Sequence, residues 1–413
     1  KWDGNPTFGQ ILPLAAQHVL AAVVGCVTPA ILVANAANNA GGNVNMGLLI
    51  QMSLVFAALS TFLQLYGNKI HLGSGLPVII GVSFAYVPTM TAIAAQAQDV
   101  NTIFGAMIVG GIVAIIVGLT IKQIRKVFPP LVIGTVIFAI GLSLYKTAIN
   151  YMAGNSANTY EVIVEQRGQT AALVYGSWQN WLVSLVTLAI VIGLNHYGKG
   201  LFKLASILIG LVCGYVLALC FGMVDFSALS NAGWFQLPQP FAFGVKFDIS
   251  AIIPLAILFL VNSIQAMGDF SATTSGGMDR LPTDQELNGG IIGYGISNIV
   301  SACFGCPPTA TYSQNVGIVS TTKVISRRVL GIAAAILMAA GLIPKFSSIL
   351  TTIPYCVLGG ATISVFASIA MTGMKLITTE PMDFRNTTVV GLAVAVGMGV
   401  TQASASLAQF PDW

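Results

Sequence analysis

Long stretches of Leu, Ile, Val, Ala and Gly recur along this chain with hardly a charge inside them. A run of about 17–25 apolar residues crosses a bilayer as a helix. Candidate runs lie near residues 8–28, 46–66, 103–121, 128–145, 181–195, 201–224, 250–270, 329–344, 353–371 and 387–403. Three more, 76–98, 287–304 and 307–322, are mixed or interrupted. The pattern predicts thirteen spans with short loops, the sizeable connections being 147–178 and 225–247.

Two of the interrupted runs break alike. Residues 76–84 read LPVIIGVSF and residues 307–315 read PPTATYSQN: a Pro, residues that favour extended backbone, then polar residues. Non-helical backbone at bilayer depth survives only inside protein or beside a water-filled cavity. Pro77–Val82 and Thr309–Tyr312 are therefore expected as short extended segments in spans 3 and 10 that pair with each other at mid-membrane. Half-helices are expected to start near Ser83 and near Gln314, aiming two N-termini at one spot that suits the carbonyl oxygens of a small polar ligand. A second match sets PPLVIGTVIF (129–138) against PYCVLGGATI (354–363), with Pro and Gly five apart in both. An odd number of spans separates the members of each pair, so the two halves lie oppositely in the membrane, the mark of an inverted-repeat transporter.

Composition agrees with the pattern. The 413 residues are 55% hydrophobic and 7% charged, against roughly a quarter charged in soluble domains. The chain is an all-α polytopic membrane protein by this reading, and nucleic acid is excluded as a partner. The net charge of +4 bears only on orientation. With a cytoplasmic N-terminus, thirteen Lys and Arg fall in inner loops and four in outer ones (Lys146, Arg167, Lys246, Lys345), which the positive-inside rule favours. The end, SLAQFPDW, then lies outside, and an odd span count implies one further helix beyond it. The start lacks an initiator Met and a signal pattern, which points to a trimmed N-terminus. Cys303 and Cys306 form a lone C-x-x-C with no second pair and no nearby His, so no metal site is expected and the cysteines read as packing residues.

Polar residues inside the apolar runs carry the candidate chemistry. Gln314 and Asn315 follow the second break; helix-to-helix glue is the plain alternative for intramembrane amides. Asn262, Gln265 and Asp269 share one helix face in VNSIQAMGDFSATT (261–274). Asp269 is the only acid well inside a predicted span, and an intramembrane carboxylate marks a functional site by default. A structural Asp bonded to backbone N–H groups is the alternative. His18 offers a proton relay or a satisfied inter-helix contact. His71 and His196 fall at span ends, and GSG at 73–75 lacks the βαβ context of a dinucleotide motif.

Gln314-Asn315-x-Gly317, four residues, then Thr322-Lys323 resembles the signature of the nucleobase–ascorbate transporters, the nucleobase–cation symporter-2 family. The resemblance extends to Gln17-His18, to GSGLP through Ser83-Phe84, and to Gly268-Asp269. It implies fourteen spans as a seven-plus-seven inverted repeat, 13 of them in this chain. It also implies a core domain from 1–126 and 246–345 moving against a gate domain from 127–245 and 346–413, in a homodimer.

A planar nucleobase would lie between Phe84 and Tyr312, its edge read by Gln265 and Gln314, with Ser83 and Ser313 beside it. Asn315, His18, Gly317, Thr322 and Lys323 would hold the site together, and Asp269 would belong to the coupling network. Gln at the first motif position is similar to the purine members, so the resemblance implies a permease importing xanthine or urate, with H+ as coupling ion or Na+ in its place, and no cofactor. Two departures matter: Gln265 and Tyr294 stand where family members often have acids. An uncoupled uracil or broader nucleobase facilitator is therefore an alternative, as is an anion transporter on the same architecture. No Ser/His pair or acidic dyad at suitable spacing supports an enzyme.

Overall fold

The computed structural model describes residues 8–121, 123, 129–155, 161–164, 169–172, 174–226, 229 and 232–403. The elements run α1 Phe8–Asn39, α2 Met46–Tyr66, β1 Ile80–Val82, a 3-10 turn Phe84–Tyr86, α3 Val87–Ala97, α4 Asn101–Leu119 and α5 Pro130–Met152. There follow β2 Glu161–Val164, β3 Gln169–Ala172, α6 Trp178–Tyr197, α7 Leu201–Leu204, α8 Ser206–Cys220, α9 Ile249–Met278 and α10 Asp284–Cys303. The order ends with β4 Thr309–Thr311, α11 Ser313–Thr322, α12 Arg327–Gly341, α13 Pro344–Thr351, α14 Tyr355–Ile377 and α15 Phe384–Gln402.

The expected thirteen crossings are not thirteen long apolar helices. Among the described residues seven helices are long and apolar enough to span a bilayer: α1, α2, α4, α5, α6, α9 and α14. The count is eight if α12 and α13, bent by 79° at their junction, form one span. Of the other expected runs, α8 and α15 are shorter apolar helices, and α10 opens on the polar sequence DQELN. Residues 76–98 and 307–322 are a strand followed by a short helix, as their breaks predict. The all-α expectation also missed a hairpin in the long 147–178 connection, where β2 pairs antiparallel with β3, Glu161 opposite Ala172; its β-branched run Val162-Ile163-Val164 is the local cause.

The chain divides into two compact units. Of the described residues, the first comprises those up to Pro129 and Gly233–Ser347; the second comprises those between Pro130 and Ala232 and those from Ser348 on. In the second, α5 packs along α14, with Gly134 and Gly373 face to face: a Cβ on either would come within 2.8 Å of the other's carbonyl oxygen. In the first, α4 crosses α10 in the same way at Gly111 and Gly295. Such close backbone approach is how membrane helices gain contact without a hydrophobic drive.

The local punctuation that places the site is visible residue by residue. α10 starts in a capping box: the Thr283 hydroxyl accepts from Glu286 N–H and the Glu286 carboxylate accepts from Thr283 N–H. Arg280 grips the same carboxylate at 2.5 and 2.8 Å, and that partner raises the guanidinium pKa above its ordinary value. α9 and α11 both stop at a non-glycine residue in the left-handed region, Asp279 (φ 54°) and Lys323 (φ 57°). The two side chains pair at 3.0 Å.

Candidate functional site

β1 and β4 come from the two distant breaks and pair antiparallel, Ile80 opposite Thr311, Gly81 opposite Ala310 and Val82 opposite Thr309. Ser83 N–H donates to the Pro308 carbonyl and Tyr312 N–H to the Ile79 carbonyl, both at 3.0 Å. By the alternation of an antiparallel ladder, Val82–Thr309 and Ile80–Thr311 are then the non-hydrogen-bonded pairs, whose backbone groups turn outward. In a membrane those groups need partners, and side chains of flanking helices supply them. Thr61 Oγ1 on α2 accepts from Ile80 N–H at 3.0 Å and donates to its carbonyl at 3.3 Å. The Asn298 amide on α10 accepts from Thr309 N–H at 2.8 Å and donates to the Thr309 carbonyl at 3.3 Å. The pair thus has no open edge at Ile80 or Thr309.

Each strand leads into a helix start. Ser83 caps the first, its Oγ accepting from Ala85 N–H at 3.2 Å. The α-helix proper begins at Val87, after the 3-10 turn and four residues later than expected. α11 begins at Ser313, one residue ahead of Gln314. α9 packs on α11, on β4 and on the Phe84–Tyr86 turn, bringing Gln265 and Asp269 to the same junction.

Asp269 is buried and tied to both β4 and α11. Its Oδ2 accepts from the Thr311 hydroxyl and its Oδ1 from the Ser313 hydroxyl at 2.8 Å. These are side-chain donors, not the backbone N–H groups of the structural alternative. Gln265, one turn before Asp269, is half-buried and Gln314 is exposed. Among the described residues neither amide has a protein hydrogen-bond partner. Asn315 is fully buried and donates through Nδ2 to the His18 carbonyl at 3.1 Å and to His18 Nδ1 at 3.0 Å. A carbonyl can only accept, so it fixes which end of the amide faces α1. His18 Nδ1 is then an acceptor and the neutral ring carries its proton on Nε2.

The remaining expected residues are placed as follows. Phe84 and Ser83 lie at the first helix start, both buried. The Tyr312 ring does not stand free: it lies over Gly25 and Gly81, where added Cβ atoms would come within 2.9 and 2.5 Å of it, and its hydroxyl donates to the Val82 carbonyl at 2.7 Å. Thr322 and Lys323 terminate α11, the Thr322 hydroxyl donating to the Ile318 carbonyl at 2.8 Å. Gly317 is exposed, and a Cβ there would meet nothing within 4 Å. Sequence reasoning passed over Thr61 and Asn298, although an Asn inside an apolar run is itself a signal. It also missed the fully buried contact between the Tyr86 and Tyr294 hydroxyls, which ties the first helix start to α10.

The chain covers 97% of its own length against the uric acid permease PucJ of Bacillus subtilis (33% identical, 87% of that protein). It likewise covers 97% against the xanthine permease XanQ of Escherichia coli K12 (31% identical, 85% of that protein). In fold it is similar to the transmembrane domain of a cyanobacterium bicarbonate transporter, BicA, with a TM-score of 0.65 at 17% identity, covering 94% of this chain and 96% of that one. The murine anion transporter Slc26a9 in its inward-facing state follows with a TM-score of 0.58 at 14% identity, covering 96% of this chain and 68% of that one. Residues 9–406 match the Xan_ur_permease model, described as the Permease family. A multi-pass helical chain, broken twice to set two half-helices around one acid, and matched along nearly its whole length, belongs to the Permease family.

Proposed function

We propose that this chain is a secondary permease of the cytoplasmic membrane that imports an oxidised purine, xanthine or urate, by alternating access with H+ as the coupling ion. One observation carries the reading. The unpartnered amides of Gln265 and Gln314 flank the Asp269–Ser313 contact, one a helical turn before the acid and the other next to the serine. An amide presents a donor and an acceptor side by side, which suits the lactam edge of a flat heterocycle. The relatives named as uric acid and xanthine permeases support the substrate class.

In this reading Phe84 faces the base, while Tyr312, held over Gly25 and Gly81, forms the wall beneath it. Ser83 and Ser313 start the two half-helices that hold it. Asn315 with His18, and Lys323 with Thr322 and Gly317, keep α11 in place. Asp269 is assigned the proton, carried on Oδ2: there it takes the place of the Thr311 hydroxyl hydrogen and loosens α9 from β4, while Oδ1 goes on accepting from Ser313. Na+ is the alternative coupling ion.

Antiparallel pairing of one strand from each half supports the inverted seven-plus-seven arrangement. The first compact unit is assigned to the core domain and the second to the gate domain. The Lys and Arg distribution supports a cytoplasmic N-terminus, and a homodimer is carried over with the family. The fold likeness to anion transporters raises a second reading, in which the helix start at Ser313 receives an anion.

Uptake of radiolabelled xanthine into proteoliposomes tests these readings, with urate, uracil, guanine and bicarbonate as competitors and with or without a pH gradient. Uptake driven by inward protons, blocked by urate and lost in Asp269→Asn, is expected. Gradient-independent uptake overturns the coupling, and bicarbonate transport without purine uptake overturns the substrate.

A further inference from the structure

The hydroxyl hydrogens of Thr311 and Ser313 are both committed to one acid. Asp269 accepts from two different hydroxyls, Thr311 Oγ on Oδ2 and Ser313 Oγ on Oδ1, the latter at 2.8 Å; Oδ1 remains an acceptor whether or not Oδ2 carries the proton. A serine hydroxyl owns one hydrogen and two lone pairs. With its hydrogen committed to Asp269, Ser313 can show a ligand only lone pairs. Thr311 is in the same electronic state but is buried. Ser313 is exposed, as is Gln314 beside it. The amides of Gln265 and Gln314 rotate to offer either polarity, whereas Ser313 is fixed in polarity by the acid behind it.

We propose that Ser313 is a specificity-determining residue that accepts a hydrogen bond from a ring N–H of the transported base, and that Asp269 enforces this polarity by holding the hydroxyl hydrogen. The ligand class follows: a heterocycle with an N–H donor at the position that meets α11, and not one with a carbonyl or unprotonated ring nitrogen there. Two lone pairs face to face, with a carboxylate behind one of them, repel. A methyl on that nitrogen removes the donor and leaves Ser313 without its partner. Sites that lose a designed hydrogen bond discriminate far more strongly than sites that lose a methylene. The inference rests on the purine reading above and adds to it which edge of the base faces which helix.

The test is competition against radiolabelled xanthine uptake by 1-, 3-, 7- and 9-methylxanthine, in proteoliposomes holding the full chain as wild type, Ser313→Ala or Ser313→Thr. In the wild type, one isomer should compete at least about tenfold less well than xanthine. In Ser313→Ala that one ratio should shrink by about tenfold, because xanthine itself binds less well, while the other three ratios hold. Ser313→Thr, which keeps the hydroxyl, should retain the wild-type profile. A merely structural serine would shift all four ratios together or none, and either result overturns the proposal. If Ser313→Ala does not transport, the same four ratios are read from ligand-induced thermal shifts of the purified variant. A wild type that takes up no xanthine overturns the purine reading instead, an outcome separate from unchanged ratios in a protein that transports.

Discussion

Asn298→Ala is the perturbation that most directly probes how the site is held. Asn298 is fully buried on α10 and makes three contacts to one residue of β4. It accepts from Thr309 N–H at 2.8 Å and from its hydroxyl at 3.2 Å, and donates to its carbonyl at 3.3 Å. Truncation strands a backbone donor and a backbone acceptor inside the bilayer. Each buried unsatisfied group costs about 1–3 kcal/mol, so about 2–6 kcal/mol is expected for the two, less where water enters. The damage propagates along two residues of strand, because Thr311 and Ser313 are the donors that hold Asp269. Substrate affinity should therefore fall by about tenfold although Asn298 is not proposed to touch the substrate. Thermal unfolding of the purified protein in detergent, with and without xanthine, reads both effects. Ser297→Ala is the control: its hydroxyl only returns to the Tyr294 carbonyl of its own helix at 2.9 Å, so a loss under about 0.5 kcal/mol is expected. An Asn298→Ala protein as stable and as tight-binding as the wild type would refute the argument that this amide closes the strand edge.

Three further outcomes follow from the same geometry. Gly25→Ala would place a methyl 2.9 Å from the Tyr312 hydroxyl, and Gly81→Ala one 2.5 Å from the ring carbon bearing it; each should cost about 1–3 kcal/mol in thermal unfolding, and Tyr312→Phe should relieve only the first. His18→Ala and Asn315→Ala should each destabilise, and the double variant should cost less than their sum by about 1–2 kcal/mol, measured by the same melts; strict additivity would mean the 3.0 Å contact carries nothing. Gln265→Ala and Gln314→Ala should raise the KM for xanthine by about tenfold yet leave the melting temperature within the equivalent of about 0.5 kcal/mol, since neither amide has a protein partner to strand.

The residues of the candidate site were more legible in the sequence than the number of spanning helices. Gln314, Asn315 and Asp269 stand out because polar side chains inside apolar runs need a reason, and the two Pro-led breaks stand out because a broken helix in a bilayer needs one too. The pairing of β1 with β4 followed from requiring each to find a partner. The span count was harder, because length and hydropathy cannot tell a crossing helix from a shorter one sheltered by its neighbours. α10 lies in that gap: its first turns are polar, and its packing on α4 through Gly111 and Gly295 leaves no mark in hydropathy. The orientation of Tyr312 could not be read at all. An aromatic next to a polar motif suggests stacking on a ligand, and only the glycines at 25 and 81, distant in sequence, show what the ring itself packs against. Thr61 and Asn298 were invisible for a related reason: their partners are backbone atoms whose outward direction depends on the strand register.

The pairing of β1 with β4 also sets a timetable. The Tyr312 hydroxyl that reaches the Val82 carbonyl lies 230 residues downstream of it. At about 5–20 residues per second of synthesis, β1 must wait roughly 10–50 s in the membrane before its partner strand exists. During that interval Thr61, on the helix just before β1, can already satisfy the outward groups of Ile80, but the edge meant for β4 stays open. A nascent chain stalled in its second half should then be a target for quality-control proteases, and a variant that slows insertion of 309–323 should lower the amount of protein made without changing the properties of the molecules that finish.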